Sequence, residues 1–92
     1  MFYVYFIKSL KNGKYYVGST DRLPKDRLAE HNRGMNQWTK QNGPFELTYY
    51  EMYICKEDAK LREKFYKSGF GRKIKSIIIK EVASAKGGSA SG

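Results

Sequence analysis

The only histidine of the chain lies four residues after an arginine, and this pair is the first place to look for chemistry. Arg27 and His31 share one face of a predicted helix, because side chains four residues apart project from the same side. A guanidinium that binds a phosphate, beside an imidazole that transfers or orients a proton, suits phosphodiester cleavage. From spacing alone a structural interpretation is favoured, in which Arg27 is a solvated charge and His31 a partner of the helix C-terminus.

Three further side chains could join this pair. Tyr5 and Tyr16 lie on adjacent strands of a predicted hairpin and are expected to face each other, and a phenol near a cation ionises below its reference pKa of about 10. Glu63 lies in a later predicted helix and could bind a divalent cation that keeps several waters. The structural alternatives are tyrosines that fill a sheet face and an ion pair of Glu63 with Lys67, four residues on.

Several familiar kinds of site are missing from the sequence. It has no glycine-rich phosphate loop and no serine–histidine elbow, and one histidine with one cysteine excludes a Cys/His metal cluster and an internal disulfide. No apolar run is long enough to span a membrane, and the N-terminus lacks a signal-peptide pattern. We therefore expect a cytoplasmic protein without a membrane partner.

The charge balance favours a nucleic-acid partner. Eighteen Lys and Arg against nine Asp and Glu give a formal net charge of +9, which attracts phosphate backbones. Anionic membranes and ribosomal surfaces remain alternative partners. The basic residues expected around the hairpin and first helix are Lys8, Lys11, Lys14, Arg22, Lys25, Arg33 and Lys40. Trp38 is interpreted either as a ring that stacks on an unpaired base or as a side chain that holds its loop to the core.

The first third of the chain predicts a β-hairpin followed by a helix. Residues 2–8 are rich in aromatic and β-branched side chains, Asn12-Gly13 is a strong hairpin-turn signal, and residues 15–20 form the returning strand. The next helix is predicted from Asp21, as its N-cap, to Asn32, with Pro24 in the first turn.

The remainder predicts a third strand and two helices. Residues 33–44 are expected to form a polar loop, residues 45–53 a strand, residues 56–68 a helix, and residues 72–82 a last helix whose apolar face is Ile74, Ile77 and Ile78. Residues 1–82 are predicted to form one domain, and residues 83–92 a flexible tail or linker. The order ββαβαα predicts an α+β fold, a small antiparallel sheet packed by helices.

The ordered set of motifs resembles the GIY-YIG nuclease superfamily, and in particular its small standalone members. The resemblance runs from about residue 2 to residue 80. Its motifs are Tyr3-Val4-Tyr5, then Tyr16-Val17-Gly18, then the helix Arg27-Leu28-Ala29-Glu30-His31-Asn32, and finally Glu63. Tyr3 stands where the family name has Gly, and Val4 and Val17 replace Ile. Either triad alone is weak evidence for the family, but the whole set of motifs in this order is specific to it.

The resemblance implies a three-stranded antiparallel sheet flanked by helices and a metal-dependent endonuclease. Arg27 would hold the scissile phosphate, Glu63 would bind one Mg²⁺ or Mn²⁺, and a tyrosine, Tyr16 by slight preference over Tyr5, would accept the proton of the attacking water with help from His31. Products with 5′-phosphate and 3′-hydroxyl ends are expected.

The expected substrate is DNA, single-stranded or branched in preference to plain duplex, with RNA left open. The chain is expected to act as a monomer or with a partner subunit, and DNA repair is one expected role. The alternatives are a binding module with the same fold and little activity, and a structural, ribosome-associated basic protein.

Overall fold

Three antiparallel strands form one sheet, and helices pack on both of its faces. The computed structural model describes residues 1–34 and 37–91, with side chains described up to residue 84. The sheet has the order β2-β1-β3, so β1 is central and β2 and β3 are its edges. The elements are β1 (Phe2–Ser9), β2 (Tyr15–Thr20), α1 (Pro24–Asn32), α2 (Gln37–Asn42), β3 (Phe45–Tyr53), α3 (Lys56–Lys67) and α4 (Gly69–Ser91). The predicted α+β class with a three-stranded antiparallel sheet is confirmed.

The β1–β2 hairpin turns where the sequence predicts it. Gly13 has a φ of +75°, and its N–H donates to the carbonyl oxygen of Ser9 at 2.9 Å. The register places Tyr5 opposite Gly18, and it places Tyr16 opposite Ile7. The expectation that Tyr5 and Tyr16 face each other is therefore wrong: they share a sheet face but lie one side-chain step apart along the strands.

The two faces of β1 build two cores because strand side chains alternate in direction. Val4 and Phe6 are fully buried against α3, where they meet Ala59 and Tyr66. Tyr5 and Ile7 belong to the second core, on the opposite face, together with Phe45 and the α1 residue Leu28. Each large apolar side chain buried in this way contributes about 1.5–3 kcal/mol to the free energy of unfolding. The faces of the sheet thus fix α1 on one side and α3 on the other.

A polar cluster ties α3 to β3. The carboxylate of Glu51 accepts hydrogen bonds from Tyr49 at 2.7 Å, from Tyr53 at 2.6 Å, from Tyr66 and from Nε of Arg62 at 3.3 Å. Burial raises the pKa of Glu51, but the hydrogen bonds from the three tyrosines outweigh burial, and the net pKa is below its usual value. Glu51 therefore stays ionised and holds the helix that carries Glu63.

The first helix begins later than predicted. Its N-cap is Leu23, which makes no side-chain cap, and Pro24 occupies the first helical position. The carbonyl oxygen of Leu23 accepts the N–H groups of Asp26 and Arg27 at 3.0 and 3.1 Å. The prediction of Asp21 as the cap is wrong because proline, whose ring fixes φ and which has no N–H to cap, sets the start of the helix.

The predicted loop 33–44 contains a short helix, α2; residues 35 and 36 lie outside the described part. A hydrogen bond from Nδ2 of Asn42 to the carbonyl oxygen of Trp38, 2.8 Å long, closes the turn. Trp38 also packs on the second core, where its ring centroid lies 5.6 Å from that of Phe45. These tertiary contacts stabilise a helix that has no apolar periodicity of its own.

The last helix begins at Gly69 instead of Arg72, and its backbone is helical to Ser91, beyond the predicted end at Val82. Gly71 does not interrupt it: a side chain there would overlap the carbonyl of Phe65, so this glycine allows a close approach. Ile74, Ile78 and Ile79 pack on the core, whereas Ile77 is 56% exposed, which corrects one member of the predicted apolar face. The domain limit at residue 82 stays a prediction.

In the described part of the chain, we find no helix whose length and apolar character would let it cross a bilayer.

Candidate active site

The hydroxyl of Tyr5 reaches past the edge strand β2 to His31. Tyr5 is 4% exposed, and its Oη lies 3.2 Å from Nε2 of His31, which α1 carries. The ring passes directly over Gly18, where an added Cβ would lie 2.6 Å from Cζ of Tyr5. A contact that short does not occur between real atoms, so only glycine at position 18 leaves room for this tyrosine. The two tyrosine motifs thus act together. Tyr3-Val4-Tyr5 supplies the hydroxyl, and Tyr16-Val17-Gly18 supplies the space that the ring of Tyr5 needs.

Burial keeps both members of this pair neutral near pH 7. It raises the pKa of Tyr5 above its usual value, an effect that the positive charge of Arg27 and a hydrogen bond with it reduce only in part. It lowers the pKa of His31, and the charge of Arg27 lowers it further. A neutral imidazole beside a neutral phenol can accept the phenol proton, provided that Nε2 is the unprotonated ring nitrogen.

A buried carboxylate holds Arg27 in place. Nη1 of Arg27 donates to Oε2 of Glu30 at 3.1 Å, and Arg22 binds the same carboxylate, with Nη2 3.1 Å from Oε2 and Nη1 in contact with Oε1. Glu30 is 8% exposed, and it is a site residue that the sequence interpretation missed. Its i,i+3 spacing from Arg27 was a usable signal, whereas no local pattern links it to Arg22.

Glu63 approaches from the other face of the sheet. Ser19 donates its hydroxyl to Oε1 of Glu63 at 2.5 Å, and Nζ of Lys67 lies 2.8 Å from Oε2. Burial raises the pKa of Glu63, but the hydrogen bonds from Lys67 and Ser19 lower it more, and the net pKa is below its usual value. The ion pair with Lys67, which was the structural alternative for Glu63, is present, and Ser19 is a second residue that the sequence interpretation missed.

A groove at the end of β2 is lined by Arg27 and Ser19, whereas Tyr5, His31 and Glu63 are not among its lining residues. Its volume is about 340 Å³, and it is lined by Phe2, Ser19, Thr20, Asp21, Arg22, Arg27, Lys56, Ala59 and Lys60. Arg27 reaches it from α1, and Ser19, the partner of Glu63, reaches it from β2. The groove is lined mainly by polar and charged side chains, which suits a phosphate backbone better than an apolar metabolite.

Glu63 and Ser19 carry oxygen donors of the kind that a hard divalent cation binds. Within the described residues, no three His, Cys, Asp or Glu side chains converge as a metal-binding cluster. Mg²⁺ commonly binds through one or two carboxylates and keeps several waters, so the ionised Glu63 with the Ser19 hydroxyl beside it is a sufficient protein contribution. Mn²⁺ accepts the same oxygen ligands.

Tyr16 is held away from the Tyr5–His31 pair by its own network. Its hydroxyl donates to Oδ1 of Asn42 at 3.3 Å and lies 3.4 Å from Nδ2 of Asn12. Trp38 packs edge-on against the ring at 4.9 Å between centroids and stacks on Phe45 with an interplanar angle of 15°. Trp38 is 42% exposed, so these contacts support its role as a packing residue and leave part of the ring accessible.

The predicted basic residues do not all lie on the same side of the sheet. Arg22 lines the groove, and Lys11 donates from Nζ to the carbonyl oxygen of Gln41 at 2.8 Å. Lys8 points to the opposite face from Tyr5, where it lines a second groove with Ile79, and its contact with DNA stays a prediction. The predicted DNA contacts that are exposed are Lys14, Arg22, Lys25, Arg33, Trp38 and Lys40.

Known proteins of one family are similar to this chain. The family model described as the GIY-YIG catalytic domain matches residues 1–75. A UPF0213 protein of Clostridium perfringens is 38% identical over 68 residues, which cover 73% of this chain and 71% of the relative. One from Staphylococcus saprophyticus is 36% identical over 80 residues (86% and 94%), and YazA of Bacillus subtilis is 31% identical over 83 residues (89% and 82%). No solved structure matches the chain.

The family match covers both tyrosine motifs, the Arg27–His31 helix and Glu63, and the relatives align over most of their own length. The fold and the order of the motifs are those that the resemblance implied. The chain belongs to the GIY-YIG family of nuclease catalytic domains.

Proposed function

We propose that the protein is a divalent-metal-dependent endonuclease that hydrolyses phosphodiester bonds of DNA. The observation that carries this proposal is the 3.2 Å contact between Oη of Tyr5 and Nε2 of His31, next to Arg27. A phenol and a neutral imidazole in hydrogen-bond contact form a route for a proton, and a guanidinium beside them binds the anion that would be attacked. A module that only binds DNA has no use for the proton route.

The proton of the attacking water passes through Tyr5. As the water attacks phosphorus in line, Oη of Tyr5 accepts its proton and donates its own proton to Nε2 of His31. This transfer leaves Tyr5 neutral throughout, which agrees with the raised pKa of its hydroxyl. The imidazolium that forms is then available to return the proton to solvent.

Tyr5 is a better candidate for this role than Tyr16, which the resemblance slightly favours. The hydroxyl of Tyr16 donates to Asn42, and its ring packs between Trp38 and Phe45. We therefore assign Tyr16 to positioning α2 and the hairpin and assign the proton transfer to Tyr5.

Arg27 binds the scissile phosphate with the donors that Glu30 leaves free. Glu30 engages Nη1, and the guanidinium carries five donors, so its other N–H groups can bind phosphate oxygens. The pairing with Glu30 also reduces the conformational freedom that Arg27 loses on binding. Glu63 would hold Mg²⁺ or Mn²⁺, which polarises the phosphate and stabilises the leaving oxygen when bound.

Single-stranded or branched DNA is the proposed substrate. Exposed lysines and arginines on the hairpin and near α1 provide backbone contacts without base information. The proposed contacts are Lys8, Lys14, Arg22, Lys25, Arg33 and Lys40, with Trp38 as a further aromatic surface. RNA is a second substrate to test, and action as a monomer in the cytoplasm is part of the proposal.

Cleavage of labelled single-stranded, duplex, flap and junction DNA with Mg²⁺ or Mn²⁺ tests the proposal. We expect EDTA to abolish cleavage and Glu63→Gln to reduce its rate by about a hundredfold or more while DNA binding persists. Glu81→Gln, which changes an exposed carboxylate on α4, is the matched control and should cleave like the wild type. If the protein binds DNA but cleaves none of these substrates with Mg²⁺ or Mn²⁺, it is a binding module instead.

A further inference from the structure

Both carboxylate oxygens of Glu63 already have partners within the protein. Oε1 accepts the hydroxyl of Ser19 at 2.5 Å and lies 4.0 Å from Nζ of Lys60. Oε2 accepts Nζ of Lys67 at 2.8 Å. The two lysines flank Glu63 on α3, three residues before it and four residues after it. The negative charge of Glu63 is thus compensated by lysines of the same helix.

We propose that Lys67 is a resident cation which a divalent ion must displace from Glu63, so that Lys67 sets the metal affinity of the site. This inference rests on the proposed function, because it takes Glu63 as the metal ligand. It assigns to Lys67 a function beyond the ordinary i,i+4 ion pair, namely to weaken the binding of metal ions and to keep the carboxylate compensated before they bind.

Electrostatic repulsion opposes joint occupation of Oε2. The ammonium of Lys67 lies 2.8 Å from this oxygen, and it would repel a divalent ion bound to the same oxygen. Ser19 is different, because its neutral hydroxyl sits on Oε1 and can stay there when a metal ion binds Oε2. Lys67 is therefore the partner that must leave.

Lys67 is able to leave at low cost. Its side chain is 56% exposed, whereas the side chain of Glu63 is only 20% exposed, so the lysine can move into solvent while the carboxylate stays beside Ser19. Because exposed ion pairs are weak, its removal should tighten metal binding by about two- to fivefold.

Direct Mn²⁺ titration, followed by the loss of the free-ion signal in electron paramagnetic resonance, tests the proposal on the full chain at low ionic strength. Lys67→Met keeps the length of the side chain without its charge and should tighten Mn²⁺ binding by about two- to fivefold. Lys67→Arg keeps the charge and should bind Mn²⁺ like the wild type. The matched control is Lys64→Met on the same helix, since Lys64 is exposed and, among the described residues, forms no ion pair with Glu63.

A general effect of net charge would tighten binding equally in Lys67→Met and Lys64→Met, and that result would overturn the proposal. So would an unchanged affinity in Lys67→Met when its circular dichroism matches the wild type. The advantage of Lys67→Met should also shrink as salt is raised, because screening weakens the ion pair.

A Glu63→Gln variant separates this inference from the proposed function. If Glu63→Gln binds Mn²⁺ as tightly as the wild type, Glu63 is not the metal ligand and the proposed metal site fails. If Glu63→Gln loses Mn²⁺ binding and Lys67→Met does not change it, the metal site stands and only the role of Lys67 is refuted.

Discussion

Replacement of Gly18 by alanine tests whether the tyrosine motifs depend on each other. The added Cβ would lie 2.6 Å from Cζ of Tyr5, so the ring must move by about 1 Å to reach an ordinary contact of about 3.5 Å. Tyr5 is 4% exposed and has little free space, and such overpacking typically costs about 1–3 kcal/mol of unfolding free energy. A movement of that size also breaks its 3.2 Å contact with His31, and a 1 Å misplacement at a catalytic group can cost about a hundredfold in rate.

The measurements are thermal unfolding and single-turnover cleavage of DNA in the presence of Mn²⁺. We expect Gly18→Ala to unfold at a lower temperature and to cleave about a hundredfold more slowly below that temperature. Gly69→Ala is the matched control, because a Cβ there would meet nothing within 4 Å. Wild-type cleavage by Gly18→Ala would show that Tyr5 need not pass over β2, and the proposed proton route would then lose its basis.

Three further predictions concern the cluster that holds α3, the proton acceptor and the aromatic contact of α2. Glu51→Gln should lower the unfolding free energy by about 2 kcal/mol, because hydrogen bonds to a charged acceptor are lost. The folded-state pKa of Glu51 is below its unfolded value, so this stability is present at pH values above the unfolded pKa and is lost as the pH falls through the folded-state pKa. In chemical denaturation from pH 3 to 7, the unfolding free energy of Glu51→Gln should therefore depend less on pH than that of the wild type. The pH profile of kcat/KM should have an acid limb with a midpoint below 6.5, because His31 must be neutral to accept a proton; a midpoint above 6.5 would contradict this role. Trp38→Ala should lower the unfolding free energy by about 2 kcal/mol and weaken binding of all DNA structures equally, whereas a loss confined to single strands would indicate base stacking.

The features that the sequence predicted well are those that local spacing determines. The turn at Asn12-Gly13 follows from the ease with which these residues adopt positive φ, and it aligns β1 with β2. Arg27 and His31 share a helix face because of the helical repeat, and both do lie beside Tyr5. The sequence predicted the helix start at Asp21 poorly, because proline at position 24 decided it instead.

The site contacts that the sequence did not predict join residues that do not share one helix or strand. Ser19 and Glu63 are separated by 44 residues, and no local pattern links a serine on a strand to a carboxylate on a late helix. Arg22 and Glu30 meet only because α1 folds back beside the end of β2. The helix α2 was missed for a similar reason, since it is stabilised by packing of Trp38 on Phe45 and has no apolar repeat.

The position of β2 at the edge of the sheet explains how the site can be assembled at all. Tyr5 and the α1 residues Arg27 and His31 lie on one face, whereas Glu63 lies on the other, and side chains on opposite faces of a central strand are kept apart by the backbone. At an edge strand they can approach each other around the strand, and Ser19 points to the Glu63 face while Gly18 opens the Tyr5 face. Gly18 and Ser19, which are adjacent on β2, thus contact Tyr5 on one face and Glu63 on the other. A side chain at position 18 would displace Tyr5, and the strand order β2-β1-β3 places β2 at the edge, where Ser19 contacts Glu63.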